Sequence, residues 1–151
     1  MERKGNHKWR PQTGIQVKVL GICMNKGKLL AMDVFNDKGL VKGVRPLGGT
    51  VEPGETRETA LAREFAEELD TEIVVTGNWR VFENIYLHEG MLGHEYCFAT
   101  GVSLVDKSLY TKSVIAFSED SGAECRATWV DIKNLKAGEL ELFPDGLLAA
   151  L

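Results

Sequence analysis

Arg45-Pro46-Leu47-Gly48-Gly49-Thr50-Val51-Glu52-Pro53-Gly54-Glu55 leads straight into Thr56-Arg57-Glu58-Thr59-Ala60-Leu61-Ala62-Arg63-Glu64-Phe65-Ala66-Glu67-Glu68-Leu69. Three glycines and two prolines in the first eleven residues forbid a regular helix there. Thr56 is a suitable N-cap, and the helix it opens is predicted to run to about Leu69. At 3.6 residues per turn Leu61, Phe65 and Leu69 form one apolar stripe, flanked by Ala62 and Ala66. Glu64, Glu67 and Glu68 fall at i, i+3 and i+4 on the neighbouring face, and Arg63 borders it four residues before Glu67.

Three carboxylates on one face repel one another, and more so where they are partly desolvated. A solvated acidic face beside a core stripe is the structural explanation. Two features oppose it: the carboxylates abut the apolar stripe, and a glycine-rich segment precedes the helix, letting backbone groups approach a ligand closely. Carboxylate oxygens with a backbone carbonyl suit Mg²⁺ or Mn²⁺, hard cations that complete their shell with water and phosphate.

Working outward, Ile15-Gln16-Val17-Lys18-Val19 alternates and begins a strand, Asn25 to Lys28 is a turn, and Leu29 to Met32 returns as the second arm of a hairpin. Asn36 to Gly39 reads as a loop. Beyond the helix, Ile73–Val75, Trp79–Leu87, Glu95–Val105 and Ala127–Asp131 read as strands, with short helices at Asp131–Leu135 and Pro144–Leu151. Strands, one helix, more strands and a closing helix predict an α/β (α+β) layered domain with a mixed sheet. Residues 1–13 are polar and basic and read as a flexible arm.

The chain has 151 residues, the size of a single domain, with 44% hydrophobic and 26% charged residues, which argues against disorder. Eighteen Lys+Arg against 22 Asp+Glu give a net charge of −4, the opposite of the basic surplus that duplex nucleic acid demands. No apolar run approaches the roughly 20 residues of a membrane span, and no apolar stretch of signal-peptide type follows the basic start. Cys23, Cys97 and Cys125 are odd in number and far apart, so they read as reduced, small buried hydrophobes; a cytoplasmic protein is expected.

Gly49, five residues, Glu55, seven residues, then Arg63-Glu64-Phe65-Ala66-Glu67-Glu68 resembles the signature box of the Nudix hydrolases. Phe65 stands where that pattern has an aliphatic, Asp70 where it has glycine, and Thr71 where it ends on an aliphatic. The resemblance implies an α/β/α sandwich around a central mixed sheet. It also implies a metal-dependent pyrophosphohydrolase that attacks phosphorus with water in a nucleoside diphosphate linked to another group (NDP-X). By that resemblance Glu64, Glu68 and the Gly48 carbonyl are metal ligands, with Mg²⁺ or Mn²⁺ as cofactor. Glu67 is a ligand to a second metal or a base, and Glu55 pairs with Arg63 to brace the loop. A non-catalytic Nudix-like module that binds nucleotide or protein is the alternative; such modules typically lose box carboxylates, which are retained here.

Outside the box, Glu95 in Leu92-Gly93-His94-Glu95-Tyr96 is the first choice for an additional catalytic acid, with Glu83, Glu119 and Glu124 as further candidates. Arg45 is a candidate phosphate contact. His94 is expected to be a structural hydrogen-bonding residue, and His7 and His88 to be exposed. Phe82, Tyr86 and Tyr96 are core or base-stacking aromatics. The expected ligand is a small nucleotide derivative, with no duplex nucleic acid or membrane partner, and the expected assembly is a monomer or homodimer. No Ser, Cys or His near the box has an evident activating base, so a covalent intermediate has no support.

Overall fold

The alternating segment from Ile15 is the first half of strand β1 (Ile15–Ile22) in the computed structural model, which describes residues 8–119 and 121–151. β2 (Met24–Asn25) and β3 (Lys28–Phe35) close a two-residue hairpin. Lys26 and Gly27 both take positive φ there, the conformation that matches a tight turn to the twist of its strands. β4 (Val41–Thr50) returns along β3 and contains Arg45 to Thr50, so the glycine-rich stretch is strand as far as Thr50 and loop only beyond it. Regular pairing tolerates Gly48 and Gly49, a distinction that helix-breaking composition alone does not make.

Helix α1 (Arg57–Leu69) starts where expected: Thr56 caps it, its side chain accepting from the Thr59 N–H at 3.1 Å. Leu61, Phe65 and Leu69 are buried, with Ala60 beside them. Asp70, in place of the pattern's glycine, adopts the left-handed conformation at φ 51 and ψ 44 and donates its N–H to the Ala66 carbonyl. Thr71 occupies its aliphatic position as a buried residue. Its hydroxyl donates to the Glu72 carbonyl at 2.9 Å and accepts from the Asp106 N–H at 3.0 Å, so burial leaves no polar atom unpaired.

Then follow β5 (Ile73–Val75), β6 (Arg80–His88), β7 (Met91–Leu104), a 3-10 turn at Lys107–Thr111, β8 (Val114–Ser118) and β9 (Glu124–Asp131). Helix α2 (Ile132–Lys136), β10 (Glu141–Leu142) and helix α3 (Leu147–Ala150) end the chain. The strand order is β5-β7-β1-β4-β3-β9-β8, with β6 on β7, β2 on β3 and β10 on β4. β1 runs parallel to β7 and antiparallel to β4, so the sheet is mixed as expected. Sequence patterning missed β8, β10 and the 3-10 turn, all five residues or fewer, and also the ten-residue β4, whose glycines and proline hid it.

Successive residues of β3 face two cores. Leu30 and Met32 join the one under α1, and Leu29 and Ala31 the one that holds Leu135 of α2 and Leu147 of α3. Helices therefore cover both faces of the sheet. In residues 8–13 Pro11 is buried, Arg10 pairs with Asp37 and Trp9 packs edge-on against His88. His88 is itself only 4% exposed, contrary to the sequence expectation, because Trp9 comes back over it; His7 lies outside the described residues. Cys23 and Cys97 are buried, Cys125 half-buried, and all three are free thiols.

Candidate functional site

Arg63 organises the junction between β4 and α1. Its Nε and Nη2 donate to the two Glu55 oxygens at 2.7 and 2.8 Å, and Nη2 also reaches the Thr50 carbonyl at 3.0 Å. Nη1 donates to Glu64 at 3.0 Å and more loosely to Glu67 at 3.4 Å. The Glu52 N–H adds a bond to Glu55. Arg63 foremost, and then that N–H, hold the Glu55 carboxyl down at about 2. Five acceptor oxygens from four residues on one planar guanidinium fix the loop 51–56 against the first half of the helix.

Glu64 and Glu68, one turn apart, lie within hydrogen-bond reach of each other. Burial raises the Glu68 carboxyl above the ordinary range; Arg45 opposes the rise, and the neighbouring Glu64 adds to it, while burial also raises Glu64. Glu68 Oε2 is buried with no hydrogen-bond partner among the described residues. Gly49 makes room for this pair: a Cβ there would overlap the Glu64 carboxylate. At Gly48, φ +156, a Cβ would run into the Val19 carbonyl of β1. Glu67 is the solvent-facing member of the trio, its side chain 42% exposed.

Beyond the helix, Glu119 at the end of β8 is close enough to Glu68 to raise its carboxyl further, and it lies against the Cys125 thiol of β9. Burial, with Glu119 second, pushes that thiol up to about 12, so it stays protonated. Arg45 is half-buried beside Glu68 and forms no ion pair among the described residues.

Glu95 sits on β7, where it accepts from Asn84 Nδ2 at 3.0 Å and from the Cys97 thiol at 3.4 Å. With Lys18, Tyr86 and His94 it lines a small cleft closed on one side by Trp9 and Pro11. His94 Nε2 is buried there without a partner among the described residues. Asp37, His88 and Glu89 offer ligand atoms within 4.8 Å of one another. Arg10 on Asp37 and Lys42 Nζ, 3.1 Å from His88 Nδ1, already place two cationic side chains at that group.

The sheet thus brings together Glu55, Arg63, Glu64, Glu67, Glu68 and Gly49, with Arg45 alongside. It adds Cys125 and Lys18, which sequence reasoning did not single out, and Glu119, which stood below Glu95. Lys18 was visible only as the polar member of an alternating strand; the partner strand gives it its neighbours.

A mixed sheet layered between helices, with a carboxylate-bearing helix braced to a Gly-Gly strand end, is the architecture of a Nudix-type α+β domain. The chain belongs to the NUDIX domain family, whose model matches residues 13–151. The nucleoside triphosphatase NudI of Klebsiella pneumoniae subsp. pneumoniae is 44% identical over 58 residues, 38% of this chain and 41% of that protein. NudI of Enterobacter sp. (strain 638) is 42% identical over 59 residues, 38% of this chain and 42% of that protein. The chain therefore spans about two fifths of the length of the curated relatives it matches. The solution structure of the E. coli ORF135 protein has the same fold, with a TM-score of 0.61 at 23% identity over 90% of this chain and 87% of that one.

Proposed function

We propose that the chain is a divalent-metal-dependent pyrophosphohydrolase that cleaves a phosphoanhydride bond of a nucleoside diphosphate linked to another moiety. The Glu64–Glu68 pair carries this reading. Two half-buried carboxylates face each other across one helical turn, one oxygen has no partner among the described residues, and the bare backbone of Gly49 lets the Glu64 carboxylate lie against it. Such a pair is costly unless a proton or a cation stands between them.

A set of hard oxygen donors fits Mg²⁺ or Mn²⁺. Glu64, Glu68, the Gly48 carbonyl and Glu67 would hold the metal, with Glu119 as a further acid. When bound there, the metal neutralises the polyphosphate, orients it and acidifies the attacking water. The chain's own groups do the rest. Arg63 and Glu55 keep the loop and helix in register, Arg45 contacts a phosphate, and Glu67 or Glu95 takes the proton from water directly or through one water molecule. Relatives named nucleoside triphosphatases make a nucleoside triphosphate, with phosphate as the second moiety, the first substrate to try. No helix among the described residues is long and apolar enough to cross a membrane.

The test is a panel of nucleoside triphosphates and NDP derivatives assayed with Mg²⁺ or Mn²⁺ and then with excess chelator. Turnover should require the metal, and ¹⁸O-labelled water should put one label on a phosphate product in the first turnover. Full activity in chelator, or a trapped nucleotidyl-enzyme, would overturn the reading.

A further inference from the structure

The β1–β4 register sets Lys18 opposite Thr50, and Lys18 Nζ donates to Thr50 Oγ1 at 2.7 Å. Thr50 follows Gly49, against whose backbone the Glu64 carboxylate lies. Gly49 and Thr50 are successive strand residues whose side-chain directions leave opposite faces, so the ammonium stands across the strand end from the Glu64 carboxylate, near enough for Glu64 to attract its charge. It also lines the cleft shared with Glu95, Tyr86 and His94.

Lys18 is half-buried and forms no ion pair among the described residues. Thr50 is one partner for an ammonium that carries three donors. Glu95, the nearest candidate counter-ion in the cleft, has its carboxylate held by Asn84 and Cys97. Burial, with Arg45 second, lowers the lysine's hold on its proton. Arg45 is likewise without an ion pair among the described residues, so two cations lie near each other with no direct ionic partner, attracted only from a distance by Glu64, Glu68 and Glu95. Desolvating a cation without a counter-charge is unfavourable, and an anion entering the cleft would relieve it.

We propose that Lys18, with Arg45, forms a phosphate seat next to the carboxylate cradle, taking non-bridging oxygens of the substrate's polyphosphate. This rests on the reading of the chain as a polyphosphate hydrolase. Lys18 is then a substrate-contacting residue, and Thr50 positions its ammonium.

The experiment compares wild type, Lys18→Met and Lys18→Arg, with calorimetric binding of inorganic pyrophosphate in Mg²⁺ and steady-state kinetics on a triphosphate that wild type turns over. Lys18→Met should weaken pyrophosphate binding and raise KM by about ten-fold or more, with a smaller change in kcat, as expected for one charge-assisted hydrogen bond. Lys18→Arg should recover most of both. Should Lys18→Met fail to fold, Lys18→Gln, which keeps a donor for Thr50, takes its place with the same expectation. Wild-type pyrophosphate affinity and KM in the uncharged variant overturn the seat and leave the hydrolase reading standing. A wild type that neither binds pyrophosphate nor turns over any nucleotide overturns both.

Discussion

Arg63 and Glu55 meet in a two-point ion pair, Nε to Oε2 at 2.7 Å and Nη2 to Oε1 at 2.8 Å. The same guanidinium reaches the Thr50 carbonyl and Glu64, so one side chain ties the strand end, the loop and the carboxylate-bearing helix together. A lysine carries a point charge and no planar fork, and cannot serve these acceptors at once. Arg63→Lys should therefore melt several degrees lower than wild type and lose at least ten-fold in kcat. A variant with an unchanged melting curve and rate would show that the brace is unnecessary.

Glu55 also sets an acid limit. Its carboxyl is held at about 2, against 4.5 in the unfolded chain. A carboxyl with a depressed folded value contributes stability fully above its unfolded value and loses it as pH falls toward the folded one. Wild type should thus lose stability between about pH 4.5 and about pH 2 through this group, and Glu55→Gln should lack that component. Thermal melts across this range, compared for the two proteins, decide it.

Glu64 and Glu68 carry the opposite sign. Burial raises both carboxyls, so the folded state holds protons that the unfolded state releases. Metal-free stability should fall as pH rises from the ordinary carboxyl value through the raised one. Glu68→Gln puts a neutral group where the metal-free wild type must keep a carboxyl protonated. It should melt higher than wild type at neutral pH in chelator, lose the rise that Mg²⁺ gives wild type, and lose orders of magnitude in rate. Melting far below wild type in chelator would make the acidic face a structural feature.

The two acids outside the box have different neighbours. Glu119 lies by Glu68, whereas Glu95 is held by Asn84 and Cys97 on the β6–β7 hairpin. Glu119→Ala should weaken Mn²⁺ binding about ten-fold, read by electron paramagnetic resonance, and Glu95→Gln should leave it within about two-fold. The reverse pattern would move the extra acid to β7.

Asp70 ends α1 in the left-handed region at an exposed position. Glycine reaches that conformation without the Cβ penalty, at the expense of a more flexible unfolded chain. Asp70→Gly should stabilise the protein by about 0.5 kcal/mol, measured by urea unfolding, with no effect on activity. A loss of stability would mean that the aspartate makes a compensating contact.

The sequence by itself determined the helix, its cap, its buried stripe and the acidic face beside it. Each of these follows from residues within one or two turns, where spacing fixes geometry. It determined the mixed sheet only as a succession of strands, and it could not separate a glycine-rich loop from the glycine-rich end of β4, because a strand ladder is completed by residues far along the chain. The tertiary structure alone decided that Lys18 stands against Thr50, that Glu119 and Cys125 come to Glu68, and that Trp9 covers His88. These residues are brought together by strand register and sheet curl, long-range pairings that leave no periodicity in the chain. A single unpaired cation or carboxylate gains its meaning only once burial removes the water that would otherwise have solvated it.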